Sequence, residues 1–270
     1  MSGNSRVGRR QLATIASGLS TRDRQILQSV SGHRFLTTRQ VQIFHFTDHA
    51  TELAGARACR RVLERLHRLR LLARLERRVG GVRAGSASYV WCVGPVGDRL
   101  LQIASGEGAR RRVHEPSVAF LDHTLAIADV HLELVGAQRG GALELVRVEL
   151  EPNCWRTFVG SGGGREVLRP DLYVSTASGE FEDCRFVEVD LGTESLPTIL
   201  RKCAQYEAYR RSGREQQRLG TFPRVLWLVP SLQRQAKLTG AIQSNRQLLA
   251  EMFVVAARNE LLDVLAEVSS

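Results

Sequence analysis

Apolar and polar positions alternate along this chain with two different periods. From Leu19 onward the period is helical. Ser20 or Thr21 is a suitable N-cap for a helix over Arg22–Ser31, with Ile26, Leu27 and Val30 on one face. Gly32 and His33 break it, and Thr37 caps a short helix over Arg39–Phe46. After a polar connector, Thr47–Gly55, a third helix is expected from about Ala56 to Arg70. Its apolar stripe is Cys59, Val62, Leu63, Leu66 and Leu69. The period then changes to two. Leu71–Arg78 and Ser88–Val93 read as paired strands, with a Gly-rich tip over Val79–Ala87. Pro95–Ala104 is a short helix, and Ser105–Val113 is a Gly/Arg-rich linker.

Beyond the linker the order is a helix over Glu115–Val135, then strand-like runs at Leu143–Leu150, Val167–Ser175 and Cys184–Leu191. A helix over Ser195–Arg211, a fully apolar strand at Val225–Val229, a helix at Leu232–Leu249 and a closing Phe253–Leu265 segment follow. Gly160–Gly164 lacks the Lys-Ser/Thr of a phosphate-binding loop and reads as a flexible loop. The fold class is α+β, in three parts. Residues 1–18 are a flexible basic tail, 19–112 a winged helix-turn-helix domain, and 113–270 an α/β domain around a central mixed sheet.

Charge sharpens this division. Residues 1–112 hold 21 arginines against seven acidic residues, a net +14, whereas residues 113–270 carry a net −4. An Arg-rich composition alone would not produce that asymmetry, so the first domain is expected to meet a polyanion, above all double-stranded DNA. Arg57, Arg60, Arg61, Arg65 and Arg68 crowd the third helix, and Arg83 sits at the hairpin tip. In a winged helix these positions face the major groove and the backbone, where guanidinium groups match guanine and phosphate. A two-fold DNA site would call for a homodimer. Neither a membrane nor a small-molecule substrate is expected. The five scattered cysteines form no CxxC pair, and no secretory h-region or spanning apolar run occurs. Those features point to a reducing, cytoplasmic setting.

The chemistry is expected in the second domain. Pro170-Asp171 opens or interrupts the second strand, and Glu188 and Asp190 lie two apart on the third, sharing one face, with Val187, Val189 and Leu191 on the other. Carboxylates at the ends of buried strands need a partner, and without cysteines they suit Mg²⁺ or Mn²⁺. Lys202, Gln205, Tyr206 and Tyr209 follow at helical spacing. Lys202, one of only two lysines, would stabilise developing negative charge at a phosphate. Taken one at a time, an exposed lysine and core-packed tyrosines are the plainer readings of these residues.

This order and these motifs resemble the PD-(D/E)XK nuclease fold. The resemblance implies that Asp171 and Glu188 hold the metal, with Asp129 or, preferably, Glu133 on the preceding helix as a further acid. Asp190 stands where the family lysine belongs. Lys202 would be that lysine migrated to the next helix, and Gln205–Tyr209 looks like a QxxxY element. The winged helix, H-x-L-x-x-x-D (His123, Leu125, Asp129), RPDLYV and FVEVDLGTES…LRKCAQYEAYR together are similar to the replication-relaxation family of plasmids and integrative elements. That resemblance implies origin recognition, processing or transfer of mobile-element DNA, with Asp171, Glu188, Asp190, Lys202, Gln205 and Tyr206 as candidate catalytic residues. A non-catalytic regulator, its second domain an interaction platform, is the alternative.

Overall fold

The computed structural model describes residues 7–79, 88–106, 116–160, 162–178 and 181–266. They divide into two compact units, Met1–Leu132 and Glu133–Ser270. The division lies well beyond the Gly/Arg-rich stretch at 105–113, inside a helix. Among the described residues no helix is long and apolar enough to cross a membrane.

In the first unit, helices α1 (Arg9–Ser17), α2 (Thr21–His33), α3 (Thr38–His45) and α4 (Glu52–Arg68) precede the strands β2 (Leu72–Val79) and β3 (Ser88–Val93). Helix α5 (Pro95–Ser105) follows, and the unit ends within α6 (Val118–Arg139). A two-residue strand β1 (Leu36–Thr37) completes an antiparallel sheet of order β1-β3-β2. Capping side chains set the helix starts. Ser20 accepts from the Asp23 amide at 3.2 Å while Asp23 accepts from the Ser20 amide at 2.9 Å. Thr37 and Gln40 form the same reciprocal box at α3. Ile26, Val30, Leu36, Val41, Cys59, Leu63 and Trp91 are buried in the core beneath.

Two elements differ from the sequence expectation. Part of the expected tail is helix α1, docked through Leu12, which is 3% exposed. Its arginines mask in the sequence an apolar stripe of Leu12 and Ile15. The third helix begins earlier than expected, capped by Thr51. Gly55, read as connector, lies inside it. A Cβ there would stand 3.0 Å from the Phe46 carbonyl, so the glycine lets α4 close on the end of α3.

In the second unit, the five-stranded mixed sheet has the order β10-β9-β8-β7-β4. Its strands are β4 (Glu144–Leu150), β7 (Leu172–Ser178), β8 (Phe181–Val189), β9 (Arg224–Val229) and β10 (Phe253–Ala257). The first three pair antiparallel; β8, β9 and β10 are parallel. A backbone hydrogen bond from the Gly160 amide to the Gly164 carbonyl (2.9 Å) closes a hairpin the sequence reading missed, β5 (Arg156–Val159) with β6 (Arg165–Leu168). Helices α7 (Leu196–Arg211) and α9 (Leu232–Gln243) supply Ile199, Cys203, Tyr206, Leu238 and Ile242 to a core with Tyr173, Phe186 and Trp227. A short helix α8 (Arg214–Leu219) and a final α10 (Leu261–Ala266) complete the unit.

Strand β8 corrects the expected two-faced pattern. Phe186 and Glu188 face the core that α7 helps to build, and Val187 and Val189 on the opposite face are buried too. A strand at the middle of a covered sheet is apolar on both sides. Glu188 is therefore a charge set into a core, not a member of a polar face.

Candidate functional site

The β8–α7 connection gathers the acidic cluster. Leu172 pairs with Val187 in the antiparallel register, which sets Asp171 beside Glu188 at the start of β7. Asp171 Oδ2 accepts a 2.8 Å hydrogen bond from the Val189 amide. Ser195 caps α7, and two turns later Lys202 reaches back. Its ammonium hydrogen-bonds Glu188 Oε2 and lies 4.0 Å from Asp171 Oδ1. The other Glu188 oxygen accepts from the Tyr206 hydroxyl at 2.5 Å. Three elements thus bring one lysine, one phenol and two carboxylates together.

Electrostatics follow from burial. Glu188 is 1% exposed, and desolvation pushes its pKa upward, against the pull of the Lys202 ammonium beside it. Asp171 adds to that upward push, and Lys202 and the Tyr206 hydroxyl oppose it. Burial would lower the Lys202 pKa, but Glu188 and Asp171 together raise it, so the ammonium stays charged. Burial and Glu188 raise the Tyr206 phenol well above its ordinary value, so it remains a donor. The neighbouring Cys154 thiol, donating to the Pro170 carbonyl at 3.0 Å, is pushed by burial up to about 12 and is no nucleophile.

Other expected members lie elsewhere. Asp190 falls just after β8. Its Oδ2 accepts from Arg234 Nε at 2.6 Å and its Oδ1 from the Gly192 amide at 2.8 Å. It fastens the loop before α7. Arg234, 44 positions away in sequence on α9, has no local signal and was missed. Gln205 is exposed on α7, turned away from the buried Tyr206. Tyr209 hydrogen-bonds Glu215. Glu133 pairs with Arg258 at 3.1 Å, beside a surface cavity of about 640 Å³ that Asp171 and Glu188 do not line. Asp129 accepts from Gln40 at 2.7 Å in the first unit. Among the described residues no group of three His, Cys, Asp or Glu side chains is arranged for a metal ion.

In the first unit α4 buries Gly55, Cys59, Leu63 and Leu66. Arg57, Arg60, Arg61 and Arg68 are exposed along the opposite side. Arg65 differs: it pairs with Asp23, which is 2% exposed and belongs to the α2 capping box. Arg83 lies outside the described residues.

Fold and sites define an α+β protein of two units, one bearing an exposed arginine stripe and the other a buried carboxylate–lysine cluster. The replication-relaxation family model matches residues 27–225, and the chain belongs to that family. The match runs through both the arginine helix and the cluster. No curated protein and no solved structure gives a significant match.

Proposed function

We propose that this chain is a DNA-binding protein of a mobile genetic element, acting where plasmid replication or transfer is initiated. Its first unit is a winged helix that lays α4 in the major groove. The observation that carries this reading is the α4 stripe: Arg57, Arg60, Arg61 and Arg68 are exposed in a row on the side away from the core. Guanidinium groups so placed neutralise phosphates and reach guanine edges. Family membership supports the setting of plasmid replication and relaxation.

The second unit is read as a PD-(D/E)XK-type domain that nicks DNA. The approach of Asp171, Glu188 and Lys202 supports this. The donor type, carboxylate oxygen with the one nearby thiol held protonated, is that of a hard cation such as Mg²⁺ or Mn²⁺, and two carboxylates supply it. Asp171 and Glu188 would hold that ion. When bound, it would lower the pKa of a water and shield the scissile phosphate. Lys202 would stabilise charge building on the phosphoryl oxygens. Tyr206 would orient Glu188, and Arg234 takes Asp190 out of the reckoning as a repulsive charge near the phosphate.

A second reading has its own support. Both Glu188 oxygens are already engaged, by Lys202 and Tyr206. A closed network of that kind suits a structural platform on a non-catalytic regulator, which would act as a homodimer on a two-fold DNA site. Titration of Mg²⁺ and Mn²⁺ into the wild type and an Asp171→Ala/Glu188→Ala variant, with nicking of supercoiled plasmid, decides between them. Metal uptake and nicking confined to the wild type support the nuclease. Duplex binding by both proteins with no nicking by either supports the platform.

A further inference from the structure

The arginine stripe of α4 has an apolar leader. Leu53, in the first turn, is 58% exposed and precedes Arg57, Arg60, Arg61 and Arg68 by roughly one to four turns on the same side. Ala54 beside it is exposed too. Neither Leu53 nor Ala54 takes part in the core beneath, and Leu53 is the apolar member of a face that otherwise carries Arg57, Arg60, Arg61, Glu64 and Arg68.

A cap and a close backbone approach define where the helix starts. Thr51 Oγ1 accepts from the Ala54 amide at 3.1 Å and fixes where the helix begins. At Gly55, the next residue, a Cβ would stand 3.0 Å from the Phe46 carbonyl, so this end of α4 is packed on the end of α3. The Leu53 side chain therefore projects from a fixed place at the helix N-terminus. In a helix laid in the major groove, N-terminal residues contact base edges. Among the groups displayed there, only the thymine C5-methyl is apolar.

Resting on the DNA-binding reading above, we propose that Leu53 is a specificity-determining residue that packs on the C5-methyl of a thymine, while the arginines behind it hold phosphate and guanine. The stripe then has two jobs. Arginines supply affinity that salt weakens, and Leu53 supplies a sequence preference that salt leaves in place, because methyl burial releases no counterion.

The test uses the full chain. A random duplex pool is enriched on the wild-type protein, and the enriched site is synthesised twice, with thymine and with deoxyuridine, which lacks only the methyl. Burying one methyl changes affinity by about four-fold. The wild type is expected to bind the thymine duplex about four-fold more tightly. Leu53→Ala is expected to bind both duplexes alike, with an unchanged unfolding midpoint, since the side chain is exposed. Equal wild-type binding to the two duplexes overturns the proposal and leaves the DNA-binding reading standing. A thymine preference that survives in Leu53→Ala overturns it likewise. No duplex enrichment at all overturns both. Loss of a self-associated species in Leu53→Ala, with the thymine preference unchanged, would assign the leucine to a protein contact instead.

Discussion

The two units place their cations differently. In the first, Arg57, Arg60, Arg61 and Arg68 stand in water on α4. In the second, Lys202 is held between Glu188 and Asp171, with Glu188 1% exposed and the lysine side chain 27% exposed. Exposed charges are screened and contribute almost independently; each is available to an outside anion. A buried cluster is coupled, and its members are committed to one another until something displaces them. One helix face thus keeps its cations in solvent, apart from one another. The other site is complete as a structure, whatever chemistry it supports, and substitutions there fall first on stability.

The largest effect is expected at the cluster. Glu188→Ala removes the partner of both Lys202 and the Tyr206 hydroxyl, which is buried. Breaking a buried pair from one side typically costs about 3–5 kcal/mol, and the partial exposure of Lys202 places this change near about 3 kcal/mol. Denaturant unfolding checks it. Glu188→Gln, which keeps an acceptor for Tyr206, is expected to lose less. A Glu188→Ala protein as stable as the wild type would dissolve the contrast between the units.

The first unit holds a buried titratable pair of its own, which sharpens the comparison. His33 Nε2 and His131 Nδ1 lie 3.0 Å apart, stacked, with Phe44 against both rings. Burial lowers both pKa values, His131 to about 3. A histidine depressed in the folded state stabilises it above its unfolded pKa, near 6.5, and that stability is lost as pH falls. Between pH 6.5 and 4.5 the unfolded chain binds a proton that the folded His131 refuses. Stability is then expected to fall by about 2–3 kcal/mol. Hydrogen exchange of α2 and α6 amides across that range measures it. In His131→Phe the slope should flatten.

How much of this was legible in the sequence depends on distance along the chain. Ser20, Thr37 and Ser195 announce their helices because capping is local. Of Asp171, Glu188, Asp190, Lys202, Gln205 and Tyr206, expected together, strand ends and helical spacing gather Asp171, Glu188, Lys202 and Tyr206, while Asp190 and Gln205 lie apart. Arg234 on Asp190 and Asp23 on Arg65 were not, since those pairs join residues 44 and 42 positions apart. The face of Glu188 was misread for a related reason. Alternation marks a half-buried strand, but β8 is covered on both sides, so its alternation marks a side chain paired inside the core and not solvent exposure. Glu133 was assigned from the family resemblance, preferred over Asp129 by its place on the helix, and its partner Arg258 lies 125 positions further along the chain.

The smallest stability effects separate two arginines of one helix. Arg65→Ala leaves Asp23, 2% exposed, without its cation, although the capping bonds of Asp23 with Ser20 remain. The Arg65 side chain is itself 40% exposed, so solvent screens the pair. A loss of about 1 kcal/mol is expected, seen as a lower unfolding midpoint. Arg57→Ala touches no such partner among the described contacts, and its stability should stay within about 0.5 kcal/mol. Its effect belongs to binding. If Arg57 meets a phosphate, its removal lowers the slope of log affinity against log salt by roughly one. Arg65→Ala should shift the midpoint and leave that slope nearly intact. Should the two variants exchange signatures, the stripe on α4 has been drawn through the wrong residues.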